Sequence, residues 1–415
     1  MNNMRNRTTL GARLAVASLS LGLAAPAWAA SDPADFYKGK NVTYIVATAA
    51  GGGYDTYGRL VADFMQKYLP GSTFVVRNMP GAGHLIGANA IHASKPDGLT
   101  LGTFNTGLIY NQLIGLEGIR FDLTRMSWIG KAASEPRVFV ISTKSPINSL
   151  KDLQESKHTV NFAAAGVGSA SYVETKILSD ALKLPIKIIA GYSGTEDIMA
   201  MRRDEVVGII GSRSSFEGFV KNGYGRFIAQ IGGKEKDVPQ LSSLVTSPEG
   251  KALVALIESQ GEISRLTAGP PNIPKERLEA LRSAYKKAME DKELQARVAK
   301  LSLPLDPGYG EDVLNRVKAA INQSPETIAL LARTMDVKQP MLKAEGTLLE
   351  VRDKGREIVF TGPDKRKVES KPSGSRTKIT IAGKDAQRGD LKAGLDCEIH
   401  YKSGGDNEPT SIACK

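Results

Sequence analysis

The sequence predicts an α/β protein made of two similar halves and followed by a small all-β barrel. Three observations carry the prediction. A strand, a small-residue turn and a helix succeed one another three times from residue 43 onward. The same alternation resumes at residue 137. Past Pro340 the helical period disappears, and short strands alternate with charged or Gly-rich turns. Strand–helix alternation of this kind implies parallel sheets with right-handed crossovers.

The first unit sets the pattern. Residues 43–47 include Tyr44, Ile45 and Val46, whose aromatic and β-branched side chains suit a buried strand. Gly51, Gly52 and Gly53 permit a tight turn and a close approach of backbone to a ligand. Asp55 stands where a helix N-cap is expected, ahead of the apolar positions Leu60, Val61, Phe64, Met65, Tyr68 and Leu69. The turn is either a plain βα connection or an anion site at a helix N-terminus. Further strands are expected at 73–76, 99–104, 137–142, from 160, and at 187–190, 206–211 and 264–266. One long amphipathic helix is expected over 275–301, with shorter ones over 311–320 and 325–332. In the tail, strands at 347–351, 357–361, 378–382, 398–402 and 410–413 make a barrel of five or six strands.

Residues 1–29 read as a secretory signal peptide cleaved near Ala29. Arg5, Arg7 and Arg13 precede an apolar run, 14–25, that is too short to persist as a membrane span. The formal charge of +11 falls to +8 once those three arginines are set aside. The remaining charges are well mixed, which argues against a nucleic-acid partner. The expected product is soluble and exported. Cys397 and Cys414 are the only cysteines, and in an oxidising compartment they read as a disulfide rather than two free thiols. Closing that loop would stabilise the tail by about 3 kcal/mol.

Several chemistries are disfavoured. No Gly-Lys-Ser/Thr follows Gly53, so the loop is not a P-loop, and Rossmann glycine spacing is missing. His84, His92, His158 and His400 are scattered, which disfavours a metal site. Ser283-Ala-Tyr-Lys286 lies inside a charged helix, and no Gly-x-Ser-x-Gly elbow ends a strand. No catalytic residues, cofactor or metal are expected.

Several motifs occur together and in order. They are Ala50-Gly51-Gly52-Gly53-Tyr54-Asp55, then Val76 through Gly83 (Val-Arg-Asn-Met-Pro-Gly-Ala-Gly), then Lys95-Pro96-Asp97-Gly98-Leu99-Thr100-Leu101. Ala164 to Ser169, Gly191-Tyr192-Ser193-Gly194 and Ala268 to Pro274 continue the series. Together they resemble the Bug family, the periplasmic solute-binding receptors of tripartite tricarboxylate transporters, over about residues 34–342. The resemblance implies a type II periplasmic binding protein: two lobes closing on a ligand in the cleft between them. Lobe 1 would comprise 31–136 and 262–342, lobe 2 would comprise 137–261, and 343–415 would be the added β domain. The sequence departs from the family at Ala47-Thr48, at the third glycine Gly53, and at Arg203 to Val207.

The implied function is capture of a small carboxylate and delivery to membrane transporter subunits by a monomeric, non-enzymatic receptor. An alternative is a sensor or adaptor that signals through the β domain. Ligands of open α/β sheets sit beyond the carboxyl ends of the strands. Those ends hold the expected ligand residues Thr48, Gly52, Gly53, Asp55, Asn105, Gly168, Ser169, Tyr192 and Thr195. Asp55 is read either as a helix cap or as an acceptor for the ligand. Arg59 and Arg137 are the nearest cations, and each is read either as a cleft residue or as a structural one.

Overall fold

Two strands that carry the chain between its halves organise the architecture. The computed structural model describes residues 32–233, 235–337, 341–363, 367–402 and 407–415. The expected signal peptide and its cleavage point near Ala29 lie outside the described residues. First come β1 (Asn41–Val46), α1 (Gly53–Lys67), β2 (Thr73–Asn78), α2 (Leu85–His92), β3 (Thr100–Phe104), α3 (Gly107–Leu113) and β4 (Ser127–Ala133). Next are β5 (Arg137–Ser142), α4 (Leu150–Gln154), β6 (Val160–Ala164), α5 (Ala170–Leu182), β7 (Ile186–Ala190), α6 (Glu196–Arg202), β8 (Gly208–Ser212), α7 (Arg213–Lys221), β9 (Gly225–Ile231), α8 (Leu241–Leu244) and α9 (Pro248–Gly261). The α/β part ends with β10 (Ser264–Gly269), α10 (Lys275–Glu290), α11 (Lys292–Lys300), β11 (Gly308–Tyr309), α12 (Gly310–Ile321) and α13 (Pro325–Thr334).

Its described strands form two sheets, ordered β11-β4-β10-β3-β1-β2 and β7-β6-β8-β5-β9. Pairing is parallel for β1 with β2 and β3, and for β6 with β7 and β8. β10 is antiparallel to β3 and β4, and β5 to β8 and β9. The sheets are therefore mixed, where parallel ones were expected. Connectivity is the cause. β5 follows β4 of the other half with no helical crossover, and β10 returns after α9 to enter the first sheet between β3 and β4, antiparallel to both. Every residue of β4, β5 and β10 is buried.

The helix expected over 275–301 is broken in two. Asp291 (φ −68°, ψ 122°) leaves the helical region and caps α11 by accepting the Glu293 N–H at 2.7 Å. The same carboxylate accepts hydrogen bonds from Lys67 and Tyr68 at the end of α1, so tertiary contacts fix the break.

One core cluster runs from Ile45, Phe104 and Trp128 on the first sheet to Phe139, Phe162 and Ile177 on the second side. A second cluster packs α1 against α10 through Val61, Phe64, Met65, Leu281 and Tyr285. Each such aromatic or aliphatic side chain contributes about 1.5–3 kcal/mol by burial. Among the described residues no helix is long and apolar enough to cross a membrane.

The tail holds β12 (Met341–Thr347), β13 (Glu350–Arg352), β14 (Glu357–Thr361), β15 (Lys367–Ser370), β16 (Lys378–Ile381), β17 (Lys384–Asp385), β18 (Asp396–Lys402) and β19 (Pro409–Cys414). The expected barrel is not closed among the described residues. The strands make an open five-stranded sheet, β12-β18-β19-β16-β17, and a three-stranded one, β13-β14-β15. The chain changes sheet between two neighbours: the Leu348 N–H bonds the Leu395 carbonyl, whereas the Leu349 N–H bonds the Val359 carbonyl. Leu348, Ile358, Phe360, Ile399 and Ile412 fill the core between the sheets. Cys397 and Cys414 face each other in register on β18 and β19 and are joined, with an S–S distance of 2.02 Å.

Candidate functional site

The carboxyl ends of β1, β3, β6, β7 and β8, and the start of β5, converge on a cavity between the two sheets. Its volume is about 160 Å³, below the roughly 300–1,000 Å³ of pockets for drug-sized ligands, which leaves room for a small molecule only.

The first wall is the β1–α1 loop. Gly52 is the N-cap of α1 (φ −86°, ψ 173°), and no side chain caps that end. The leading N–H groups of a fifteen-residue helix therefore face the cavity, at the positive end of its dipole. The loop is crowded at Gly52 and Gly53. A Cβ on Gly53 would come within 2.9 Å of both Arg265 Nη2 and Ser215 Oγ. A Cβ on Gly52 would lie 3.2 Å from the Gly194 carbonyl across the cleft. In return, a Cβ on Gly194 (φ +63°) would lie 2.5 Å from the Ala50 carbonyl. The two walls thus meet backbone to backbone.

Asp55 is not the N-cap. It occupies the first turn of α1 and lies behind the loop, 5% exposed, outside the cavity lining. Its carboxylate accepts the Gly51 N–H at 2.9 Å, Arg59 Nε at 3.0 Å and Asn78 Nδ2 at 2.8 Å. Burial alone would raise its pKa, but these three bonds outweigh it and hold the carboxyl below the usual range. Asp55 is a brace for the loop, and it takes Arg59 with it.

The second wall comes from the other sheet. Ser169 caps α5, accepting the Tyr172 N–H at 3.3 Å, and lines the cavity with Ser171, Tyr192 and Thr195. Gly168 turns away. Its carbonyl accepts Asn111 Nδ2 at 2.8 Å, which ties the loop to α3. Thr48, Gly52, Gly53, Asn105, Ser169, Tyr192 and Thr195 are thus brought together at the cavity, and Asp55 and Gly168 are not among its lining.

Arg137 forms part of the floor at the first residue of β5, opposite Ser212 in the β5–β8 register. Its Nε donates to Glu174 Oε2 at 2.7 Å and its Nη1 to Ser212 Oγ at 2.7 Å. Glu174 is fully buried and also accepts from Tyr110 at 3.3 Å. Burial pushes the Glu174 carboxyl up, against the pull of Arg137.

The lining also holds residues outside the expected ligand set, among them His84 and Asp197. His84 adopts a left-handed conformation (φ 80°, ψ 0°) and is 8% exposed, with no partner for Nδ1 among the described residues. Burial lowers its pKa to about 4, so the ring is neutral near pH 7. Asp197 lines the wall from the start of α6. Only their place at the end of the strand–turn segments hinted at either residue. Among the described residues no cluster of His, Cys, Asp or Glu could hold a metal ion.

A second buried ion pair lies at the links between the halves. Arg265 Nε meets Glu135 Oε1 at 2.8 Å, with both side chains at most 1% exposed. Ser214 donates to the other Glu135 oxygen at 2.7 Å, and the guanidinium stacks over Tyr54 (4.3 Å) and Tyr57 (4.9 Å). Arg265 itself has φ +58°.

Comparison with known proteins gives a consistent picture. The profile of the tripartite tricarboxylate transporter family receptor matches residues 58–320, more than half of the chain. A UPF0065 protein from Agrobacterium vitis is 31% identical over 167 residues, which is 37% of this chain and 46% of that protein. The chain spans about half the length of the curated relatives it matches in this way. Among solved structures, the periplasmic binding protein BugD superposes with a TM-score of 0.62 at 22% identity, covering 73% of this chain and 100% of BugD. MatC from Rhodopseudomonas palustris, solved with bound malate, gives 0.57 at 20% identity, covering 72% and 98%. These likenesses establish a mixed α/β fold of the periplasmic binding protein kind.

Proposed function

The chain belongs to the Bug family of tripartite tricarboxylate transporter receptors, and from that premise we propose that it captures a small carboxylate and delivers it to a transporter of that type in the membrane. The observation that carries this reading is the composition of the cavity. An uncapped helix end (α1), a serine-rich wall and an arginine held by Glu174 and Ser212 converge on about 160 Å³. Such a set holds an anion with fixed dipoles rather than with a mobile counter-charge. That MatC carries malate, a small dicarboxylate, agrees with it.

The proposed lobes are residues 31–136 with 262–342, and residues 137–261. Each contributes one wall, so the full set of contacts forms only in the closed state. The proposed ligand residues are Thr48, Gly52, Gly53, Asn105, Ser169, Tyr192 and Thr195, with Arg137 added. The receptor is exported to the periplasm, acts as a monomer, carries the Cys397–Cys414 disulfide and turns over nothing. Denaturing the purified protein and identifying the released molecule by mass spectrometry tests this. A carboxylate recovered unchanged is expected. No carboxylate among the released molecules, and no Tm rise with any acid in a thermal-shift screen, would sink the proposal.

One observation favours a second role. The family profile ends at residue 320, whereas the tail beyond residue 341 has its own core and sheets. The tail is an additional docking or signalling module. Deleting 343–415 should leave ligand affinity unchanged, and a collapse of affinity would make the tail part of the binding unit instead.

A further inference from the structure

Capture of a carboxylate leaves one cavity residue unexplained. Asp197, in the first turn of α6, lines the cavity beside Thr195 and Ile198. Its Oδ1 accepts the Ile198 N–H at 2.7 Å. Arg137, the arginine of the lining, is already engaged by Glu174 and Ser212. No cation among the described residues offsets Asp197. A plain dicarboxylate would set a second negative charge in the same small cavity, and repulsion grows as a site becomes drier. A ligand carrying a protonated amine would supply the partner that Asp197 lacks.

Resting on the capture reading above, we infer that Asp197 is a specificity residue that accepts a hydrogen bond from a ligand ammonium, so that the ligand class is an amino carboxylate. The carboxylate of that ligand lies on the α1 end and the Arg137 floor, and its amine lies on the α6 wall. Burial has pushed the unliganded Asp197 carboxyl up to about 6, and neighbouring Glu196 adds to the rise against the Ile198 N–H. A bound ammonium favours the ionised form, so capture weakens as the pH falls through 6. The other titratable groups around the cavity are Tyr192 and Glu196 beside Asp197, with Tyr54, His84 and the Arg137–Glu174 pair on the remaining walls. His84 stays neutral down to about pH 4, and the Asp197→Asn variant separates Asp197 from Glu174, whose buried carboxyl is also raised.

Calorimetry on ligand-stripped full chain decides the matter. The probes are acid pairs that differ only in the amine: succinate and aspartate, glutarate and glutamate, propionate and alanine. For the pair of best-fitting length, the amino acid should bind at least about 10-fold tighter at pH 7.5, as a charge-assisted hydrogen bond implies. In Asp197→Asn, which keeps an acceptor for Ile198, that preference should shrink to about threefold or less. The wild-type preference, taken relative to that of the variant at the same pH, should also fall between pH 7 and 5. If Asp197→Asn unfolds, the wild-type preference for the amine at pH 7.5 decides. Acids that bind with no preference for the amine, or with a preference that Asp197→Asn leaves intact, overturn this inference and leave carboxylate capture standing. An absence of binding by every acid in the broader thermal-shift screen overturns both.

Discussion

The two buried arginine–glutamate pairs look alike in chemistry and differ in what surrounds them. Arg265–Glu135 is sealed, with both side chains at most 1% exposed and two tyrosine rings over the guanidinium. Arg137–Glu174 is equally direct, yet Arg137 keeps an edge on the cavity. The first pair joins the link before β5 to the strand that returns, with Ser214 of the other half as third partner. The second pair lies within the second half and presents its positive charge to whatever enters. The same two residue types therefore make a sealed link between the halves in one place and part of a cavity lining in the other.

Breaking each pair separates them by experiment. The largest effect is expected for Arg265→Met. It strands Glu135 in a dry site and should cost about 3–5 kcal/mol in urea denaturation. Adding Glu135→Gln should recover most of that loss, because no charge is then left buried. Arg137→Met should cost less stability, because Glu174 is already biased towards its neutral form and keeps its bond from Tyr110. It should weaken carboxylate binding about 10- to 100-fold. Adding Glu174→Gln should restore stability and leave binding poor. If the double variant binds as well as wild type, Arg137 is merely structural.

Gly194→Ala comes next. It places a Cβ 2.5 Å from the Ala50 carbonyl at a positive φ, so it should oppose closure and weaken ligand binding about tenfold, with a stability loss of only about 1 kcal/mol. A ligand affinity equal to wild type would show that the walls need not meet. Asp55→Ala should leave the cavity lining intact and cost about 1–2 kcal/mol of stability. The folded Asp55 carboxyl is held below its usual range, so its contribution is complete above the unfolded value of about 4 and fades as the pH falls through the folded value. Wild type should therefore lose stability faster than Asp55→Ala on acidification below pH 4. Parallel acid-denaturation curves would show that the brace is unimportant.

Much of the fold was legible because it is written in repeats. The strand–turn–helix units around β1, β6 and β8 announce themselves through period and glycine. β4 and β9 did not, since neither belongs to such a unit. The antiparallel placement of β5 and β10 depends on which half each enters, which no local pattern encodes. The break at Asp291 was hidden because helical apolar spacing continues on both sides of it; contacts with Lys67 and Tyr68, more than two hundred residues away, hold it. The barrel was misjudged because strand count alone does not say where a chain changes sheet, as it does between Leu348 and Leu349. In the cavity, small-residue loops were readable from composition. His84 was legible only as the end of one such loop, and Asp197 not at all, because a single polar residue at a loop end has no periodicity to mark it. Asp55 was open between cap and ligand contact; the cap is Gly52, and Asp55 lies outside the lining, bonded to Asn78 and Gly51.

The meeting of Gly52 with Gly194, and of Gly194 with Ala50, carries a consequence for how such a receptor changes cargo. The clasp is made of main chain, so side-chain replacement elsewhere in the cleft does not touch it. Whatever replaces the side chains of the lining, the approach of the two loops is set by main chain, at Gly52 and Gly194, where a β-carbon would crowd the facing backbone.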